Sequence, residues 1–332
     1  MVSSKDVARA AGVSQATVSR VMNNPESVKM KTREKVLRAM EELRYQPNLI
    51  ARSLVMRSSR MIALISGSLR NDFFVETADA IVREANGRGY KTMVFFEEHS
   101  RLHDIFSSIK GYKVDGILMS SIKLDDPLYE EIRNLGIPYI FFNRRPRLGG
   151  NYVVLDNRKA GAMLAKHLIE YGHEKIAYLS GTLDISTFYE RKIGIEETLS
   201  EAGLSLRPEW THFMERPNGA EIEQIVRRWM LAPEQPTAIL CATDEMALHV
   251  MNALLSLGLN VPDDVSIAGI DDISISSHSA IQLTSVGQHK FKMGEISTIH
   301  LIRMIEDEEA RKRPVRIVFQ PELYVRGTTR RL

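Results

Sequence analysis

From near residue 61 almost to residue 332 the chain alternates between two kinds of segment. Short apolar runs of strand length are separated by stretches whose apolar residues recur at helical spacing. The runs at 61–66, 92–96, 116–120 and 139–142 form one series. Those at 152–155, 176–180, 238–242 and 266–270 form a second. Between the first two runs, Phe74, Ala78, Ile81, Val82 and Ala85 make an amphipathic stripe ahead of Gly87 and Gly89. Strands separated by helices are joined most simply as β-α-β units, so largely parallel sheets with helices on both faces are expected. Two series predict two similar lobes with a cleft between them. A late helix over 293–305, then strands over 317–319 and 323–325, predict that the chain re-crosses between lobes before it ends.

Composition narrows the class. At 332 residues, with 44% hydrophobic and 26% charged residues, the chain is long enough for two domains and a small third. Its one cysteine, Cys241, cannot form an intrachain disulfide or a cysteine-rich metal site, which fits a reducing compartment. No apolar run approaches the ~18 residues of a membrane span. The start, Met1-Val2-Ser3-Ser4-Lys5-Asp6, carries charge where a signal peptide would be apolar. A cytoplasmic protein with no membrane partner is expected.

The net charge of +2 conceals an asymmetry. Residues 1–60 hold twelve Lys and Arg against five Asp and Glu, a balance of +7, which leaves −5 on the remainder. A basic head on a mildly acidic body is the footprint of a polyanion-binding module, although a solvated helical surface has the same composition. Spacing decides between them. Val7, Ala8, Ala10 and Ala11 form a small apolar stripe, Gly12 breaks it, and Ser14 is suited to cap a new helix. That second helix buries Val18, Val21 and Met22 and turns Gln15, Ala16, Thr17 and Arg20 to solvent. A third helix over 31–44 buries Val36, Leu37, Met40 and Leu43. The first two, joined through a glycine turn and packed through Ala and Val, predict a helix-turn-helix.

Asp6-Val7-Ala8, Ala11-Gly12-Val13-Ser14, Thr17-Val18-Ser19-Arg20-Val21, Tyr45-Gln46-Pro47-Asn48 and Ala51-Arg52-Ser53-Leu54 together resemble the DNA-binding head of the lactose-repressor (LacI/GalR) family. The resemblance implies that the helix beginning at Gln15 lies in the major groove of double-stranded operator DNA. Gln15 and Ala16 stand where the family varies its base-reading residues, and Arg20 where it reads a guanine. Arginine suits guanine because its fork can donate to O6 and N7 together. Ser14, Thr17, Ser19 and Asn23 are then phosphate positioners. Asn48, Arg52 and Leu54 fall in the family's hinge helix, about 48–56, which pushes a leucine into the minor groove at the centre of a pseudo-palindrome. An isolated segment this short is not a stable helix in water, so it needs a dimer and DNA to form. A linker leucine packing on the body is the alternative reading of Leu54.

The body resembles the periplasmic sugar-binding fold carried by the same family, through Asn71-Asp72-Phe73-Phe74, Ala242-Thr243-Asp244-Glu245-Met246-Ala247 and Gly269-Ile270-Asp271-Asp272. The implied organisation is a head over 1–57 and an effector-binding and dimerisation domain over 58–332. The first lobe spans about 61–157 and 289–318, the second about 158–288 and 319–332. Ligands in such sheets sit beyond the strand carboxyl ends. The implied effector residues are Phe73, Phe74, Asn143, Arg191, Thr243, Asp271 and Gln288, with Thr243 standing where the family often has Asn. A carboxylate and a guanidinium bridged by a polyhydroxylated ligand predict a sugar or sugar derivative. Arg144, Arg145 and Arg147 raise the alternative of an anionic ligand.

Catalysis is not expected. The chain contains no G-x-G-x-x-G, no G-x-x-x-x-G-K-[ST] and no G-x-S-x-G. His99 and His103 have no evident third metal ligand, His167 and His173 read as surface residues, and Cys241 reads as a core thiol. Neither metal nor cofactor is predicted. The expected protein is a ligand-responsive repressor acting as a dimer, with no heptad tail for a tetramer. The alternative is a sugar-binding receptor with a basic head that acts as an activator or with a protein corepressor.

Overall fold

The computed structural model describes residues 2–45, 58–96, 102–288 and 290–332, and the chain divides into two compact units that meet between Ser59 and Arg60. In the head, α1 (Ser4–Ala11) and α2 (Gln15–Asn23) are joined through Gly12, whose φ of 64° is the left-handed conformation that glycine adopts without strain. The Ser3 hydroxyl and Asp6 carboxylate form a reciprocal capping box on α1. After a 3-10 turn at Pro25–Ser27 comes α3 (Met30–Glu42). Val7, Ala8, Val18, Val21, Val36 and Ala39 form the core. Leu37, expected inside, is 47% exposed, while Met40 and Leu43 are only half-buried. Val36 and Ala39 hold the inward stripe at i, i+3, and Leu37 is rotated about 100° from Val36 around the helix. The expected hinge helix, with Asn48, Arg52 and Leu54, lies outside the described residues, as does His99.

The body begins with β1 (Met61–Ser66), α4 (Asp72–Gly87), β2 (Lys91–Phe96), α5 (Leu102–Tyr112), β3 (Gly116–Met119), α6 (Leu128–Asn134), β4 (Tyr139–Phe142) and β5 (Tyr152–Leu155). There follow α7 (Asn157–Glu170), β6 (Ile176–Gly181), α8 (Ser186–Glu201), β7 (Thr211–Met214), α9 (Gly219–Met230), β8 (Ala238–Cys241), α10 (Asp244–Ser256), β9 (Ser266–Asp271) and β10 (Thr284–Gly287). The chain closes with α11 (Lys290–Glu306), α12 (Glu308–Arg311), β11 (Arg316–Phe319) and β12 (Glu322–Tyr324). Two six-stranded sheets result, ordered β11-β5-β4-β3-β1-β2 and β12-β10-β9-β8-β6-β7. All pairings are parallel except β10 with β12. The re-crossing is explicit: α11 packs on α4, β11 pairs with β5 of the first lobe, and β12 pairs with β10 of the second.

Strands β7 and β10 escape an apolar-run reading for identifiable reasons. The first, Thr-His-Phe-Met, is a half-exposed edge; the second, Thr-Ser-Val-Gly, buries two hydroxyls instead of alkyl groups. The two histidines read as surface residues are buried. His167 Nε2 lies 3.0 Å from Thr329 Oγ1, and His173 bridges Thr237 Oγ1 at 3.0 Å and the Arg330 carbonyl at 3.1 Å. Burial holds both imidazoles below the usual histidine range, and together they tie the last residues to the second lobe. No helix among the described residues is long and apolar enough to cross a membrane.

Candidate functional sites: the recognition helix and the interlobe cleft

In the head, Ser14 caps α2: its hydroxyl accepts from the Thr17 N–H at 3.1 Å and lies 2.9 Å from the Thr17 hydroxyl. Gln15 Nε2 donates to Ser4 Oγ at 2.9 Å, tying the start of α2 to α1. With Val18 and Val21 buried, Ser14, Gln15, Ala16, Ser19 and Arg20 are exposed and Thr17 half-buried. Among the described residues no carboxylate pairs with Arg20. Asn23 closes the same helix. The head therefore offers one polar helix face with an uncommitted guanidinium, while the side chain of Thr17 already serves the cap.

In the body, Asn143, Thr243, Asp271 and Gln288 stand at the carboxyl ends of strands from both sheets, Phe73 and Phe74 lie on α4 and Arg191 on α8, and all seven are buried. Asn143 follows β4 and Asp271 ends β9, both in positive-φ backbone at 64° and 131°. Arg191, on α8, donates from Nε to Asn157 Oδ1 at 2.9 Å, from Nη1 to the Ala242 carbonyl, and from Nη2 to Asp271 Oδ1 at 2.8 Å. Its place depends on two glycines. A Cβ on Gly161 would sit 2.1 Å from the Arg191 carbonyl oxygen, and one on Gly194 would sit 1.9 Å from the Arg158 carbonyl oxygen. Only glycine at both points lets α7 and α8 approach this closely.

The Asp271 turn is set from beneath by Asp244, which a sequence reading quotes as part of a motif but gives no role. Its fully buried carboxylate accepts from the Ile273 N–H at 3.1 Å and from the hydroxyls of Ser276 at 2.6 Å and Ser285 at 2.7 Å. Burial and the nearby Asp271 charge push Asp244 up to about 7. Asp272 pairs with Arg326 at 2.5 Å. Thr243 caps α10 through a bond from the Met246 N–H at 3.2 Å, so its hydroxyl is already engaged. Neither end of the Gln288 side chain has a partner among the described residues.

Phe73 and Phe74 are edge-to-face at 5.4 Å and belong to the first-lobe core, with the Phe74 ring packed directly on Gly67. The lobes meet on both sides of the cleft. Asn71 Nδ2 donates to Glu245 at 2.6 Å and the Ser274 N–H to Glu76 at 3.1 Å. On the other side, Arg145 pairs with Glu190 at 2.7 Å, Lys123 with Asp184 at 2.6 Å, and the Thr187 hydroxyl donates to the Asn143 carbonyl at 2.8 Å. Burial raises the Glu190 carboxyl.

Arg147 is likewise engaged, with Asp125 at 2.9 Å, so Arg145 and Arg147 both serve salt bridges. A half-open cavity of about 450 Å3 lies beside this contact, lined by Arg145, Arg147, Tyr152, Arg158, Tyr189 and Glu190 among others, and by none of the seven expected effector residues. The buried residues at the strand ends, unlike those of this cavity, come from both lobes and include polar atoms without partners among the described residues. Cys241 is buried, and burial raises its thiol well above the usual range. Among the described residues no cluster of His, Cys, Asp and Glu could hold a metal.

Comparison with known proteins agrees with this architecture. Residues 4–48 match the family described as bacterial regulatory proteins, lacI family, and residues 165–329 a periplasmic binding protein-like domain. The chain is 34% identical over 338 residues to the HTH-type transcriptional repressor PurR of Vibrio campbellii, covering 100% of both, and 30% identical over the full length of both chains to PurR of Mannheimia succiniciproducens. Among solved structures it is similar to a lac repressor dimer bound to operator and the anti-inducer ONPF (TM-score 0.87, 28% identity, 99% of each chain). It is also similar to a transcriptional regulator CelR–cellobiose complex (TM-score 0.72, 30% identity, 99% of this chain and 100% of that one). With a capped helix-turn-helix ahead of two parallel-sheet lobes, and full-length relatives of the same construction, the chain belongs to the LacI family of bacterial regulatory proteins and is a regulator, not an enzyme.

Proposed function

We propose that this chain is a ligand-responsive transcriptional repressor that acts on chromosomal DNA in the cytoplasm. As a dimer it reads a pseudo-palindromic operator and takes a sugar-like effector between its lobes. The observation that carries the reading is the union, in one chain, of a polar recognition-helix face with a cleft whose buried guanidinium and carboxylate come from separate elements. The α2 face reads bases with Gln15, Ala16 and Arg20 and meets phosphates with Ser14, Thr17, Ser19 and Asn23. Asn48, Arg52 and Leu54 are assigned to the hinge by resemblance alone.

In the cleft, Arg191 directs three of its five N–H groups to Asn157, Ala242 and Asp271, which leaves two for a ligand. Asp271, Asn143 and Gln288 supply further polar groups, Phe73 and Phe74 an apolar wall, and Thr243 its backbone turn. The cellobiose bound by a 30% identical relative supports a sugar-like effector. Since all seven residues are buried, a ligand must separate the lobes to enter. Its binding free energy is thereby tied to the lobe angle and, reciprocally, to operator affinity.

The test is selection of bound sequences from random double-stranded DNA at fixed moderate salt, for the wild type and Arg20→Ala. A pseudo-palindrome is expected, with preference relaxed at one symmetric position in the variant, where about 1–3 kcal/mol of discrimination is lost. Salt-sensitive binding without any motif would refute the reading.

A further inference from the structure

The two lobes carry a repeated strand–turn–helix segment. Residues 62–76 and 176–190 share Ile, Ala, Ser, Gly, Leu, Phe and Glu at seven of fifteen aligned positions. The repeat is structural as well: Phe74 packs on Gly67 as Phe188 packs on Gly181. One pair of positions breaks the symmetry. In the second lobe the Tyr178 hydroxyl donates to Ser180 Oγ at 3.1 Å. In the first lobe Leu64 stands where Tyr178 does, and the Ser66 hydroxyl, fully buried, has no partner among the described residues.

A second orphan lies beside it. The Ser120 N–H donates to the Ile65 carbonyl at 2.9 Å, so the ladder in which Ile65 pairs with Met119 continues to set Ser66 next to Ser120. Alternation puts both on one face: Ile62 and Leu64 precede Ser66, Leu118 precedes Ser120, and all three apolar residues share one core cluster. The Ser120 hydroxyl is also buried without a partner among the described residues. Its counterpart in the second lobe is Ala242, whose N–H donates equivalently to Leu179 at 2.8 Å. The fold unit itself therefore does not require the Ser120 hydroxyl, and in the second lobe it supplies the serine at the Ser66 position with a tyrosine partner that the first lobe lacks. Ile273 of the second lobe joins the same core cluster. From the second lobe, Gln288 follows Gly287, which is in register with Asp271, and both of its amide atoms lack partners among the described residues.

A buried polar atom left unpaired costs roughly 1–3 kcal/mol. Two such hydroxyls side by side at strand ends of one lobe, with an unpaired amide at a strand end of the other, therefore point to a ligand that pairs them. We propose that Ser66 and Ser120, with Gln288 from the second lobe, form a hydroxyl-reading subsite of the cleft that accepts one hydroxyl of a neutral polyol. This rests on the effector reading above and narrows it. The cluster behind the serines is apolar and the Arg191–Asp271 pair is internally compensated, so the subsite has no charge with which to hold an anion. A serine hydroxyl both donates and accepts, as a sugar hydroxyl does.

The test uses the full-length protein, with D-glucose, D-ribose, D-galactose and cellobiose as probes in calorimetric titration. Thermal melts without sugar are run for the wild type, Ser66→Ala, Ser120→Ala and Asp271→Asn. The expected result is that each serine variant melts at or above wild type and binds the preferred probe about tenfold or more weaker. Removing the matching hydroxyl from that probe should abolish the difference between variant and wild type. Serine variants that melt lower and bind sugar normally would show that the hydroxyls serve the fold, overturning the subsite. If in that case Asp271→Asn alone weakens sugar binding, the effector reading survives. No heat from any probe with the wild type would overturn both.

Discussion

The Arg191 guanidinium and the Asp271 carboxylate meet at 2.8 Å between α8 and the end of β9, with only 1% and 8% of their side chains exposed. Breaking such a pair leaves a buried charge uncompensated, which costs about 3–5 kcal/mol. Asp271→Ala should therefore lower the stability of the body, and it should abolish the effector's influence on operator binding while leaving effector-free operator affinity intact. Urea unfolding alongside operator titrations with and without effector separates these outcomes; an unchanged effector response would remove Asp271 from the site.

Gly161 should matter to effector binding although it meets no ligand. A methyl group there would collide with the Arg191 backbone carbonyl, so Gly161→Ala must push α7 and α8 apart. A loss of about 1–3 kcal/mol in stability is expected for this overpacking, with weakened effector binding because Arg191 moves. A variant that melts and responds normally would show that the helix pair yields at no cost.

Asp244 links stability to pH in an unusual direction. Its carboxyl is raised from 3.8 to about 7 by burial and by Asp271. The folded state therefore holds a proton that the unfolded chain has already released, and this group's contribution to stability falls as pH rises from about 4 to about 7. Denaturant unfolding at pH 5 and 7.5 should show that decline in the wild type and less of it in Asp244→Asn. The same pH dependence in both proteins would assign it elsewhere.

His167 and His173 act with the opposite sign. Burial holds both below their ordinary 6.5, so the fold resists a proton that the unfolded chain accepts. Their contribution is present above pH 6.5 and is lost as pH falls through that value toward the lower folded-state ones. Since they hold Thr329 and the Arg330 carbonyl, amide exchange at 328–332, corrected for intrinsic rates, should accelerate at pH 5 relative to 7.5. Equal protection at both would show that the segment is held by other groups.

Much of this molecule is legible in one dimension because its signals are local. Ser14 after Gly12 announces a capped helix whatever surrounds it, and runs such as 61–66 and 238–242 are too apolar for any place but a sheet buried on both faces. Strands β7 and β10 were not legible, because an edge strand and a strand of buried hydroxyls lack the apolar signature. Leu37 was misplaced because helical spacing defines a stripe only to within about one residue's rotation.

Local pattern alone yields the helix-turn-helix, a body of parallel strands in two lobes, Asn143 and Asp271 at strand ends and Arg191 on the helix after β6, but it groups 152–155 with the second series, whereas pairing with β4 puts that strand in the first sheet. Only the tertiary structure decided what those residues touch. That Arg191 is shared among Asn157, Ala242 and Asp271, that Asp244 anchors the Asp271 turn, and that Ser66 lacks the partner Ser180 has, all depend on side chains brought together from distant parts of the chain. Hydrogen bonds and ion pairs depend on distances within about 3–4 Å, and sequence order does not encode those distances until packing has fixed them.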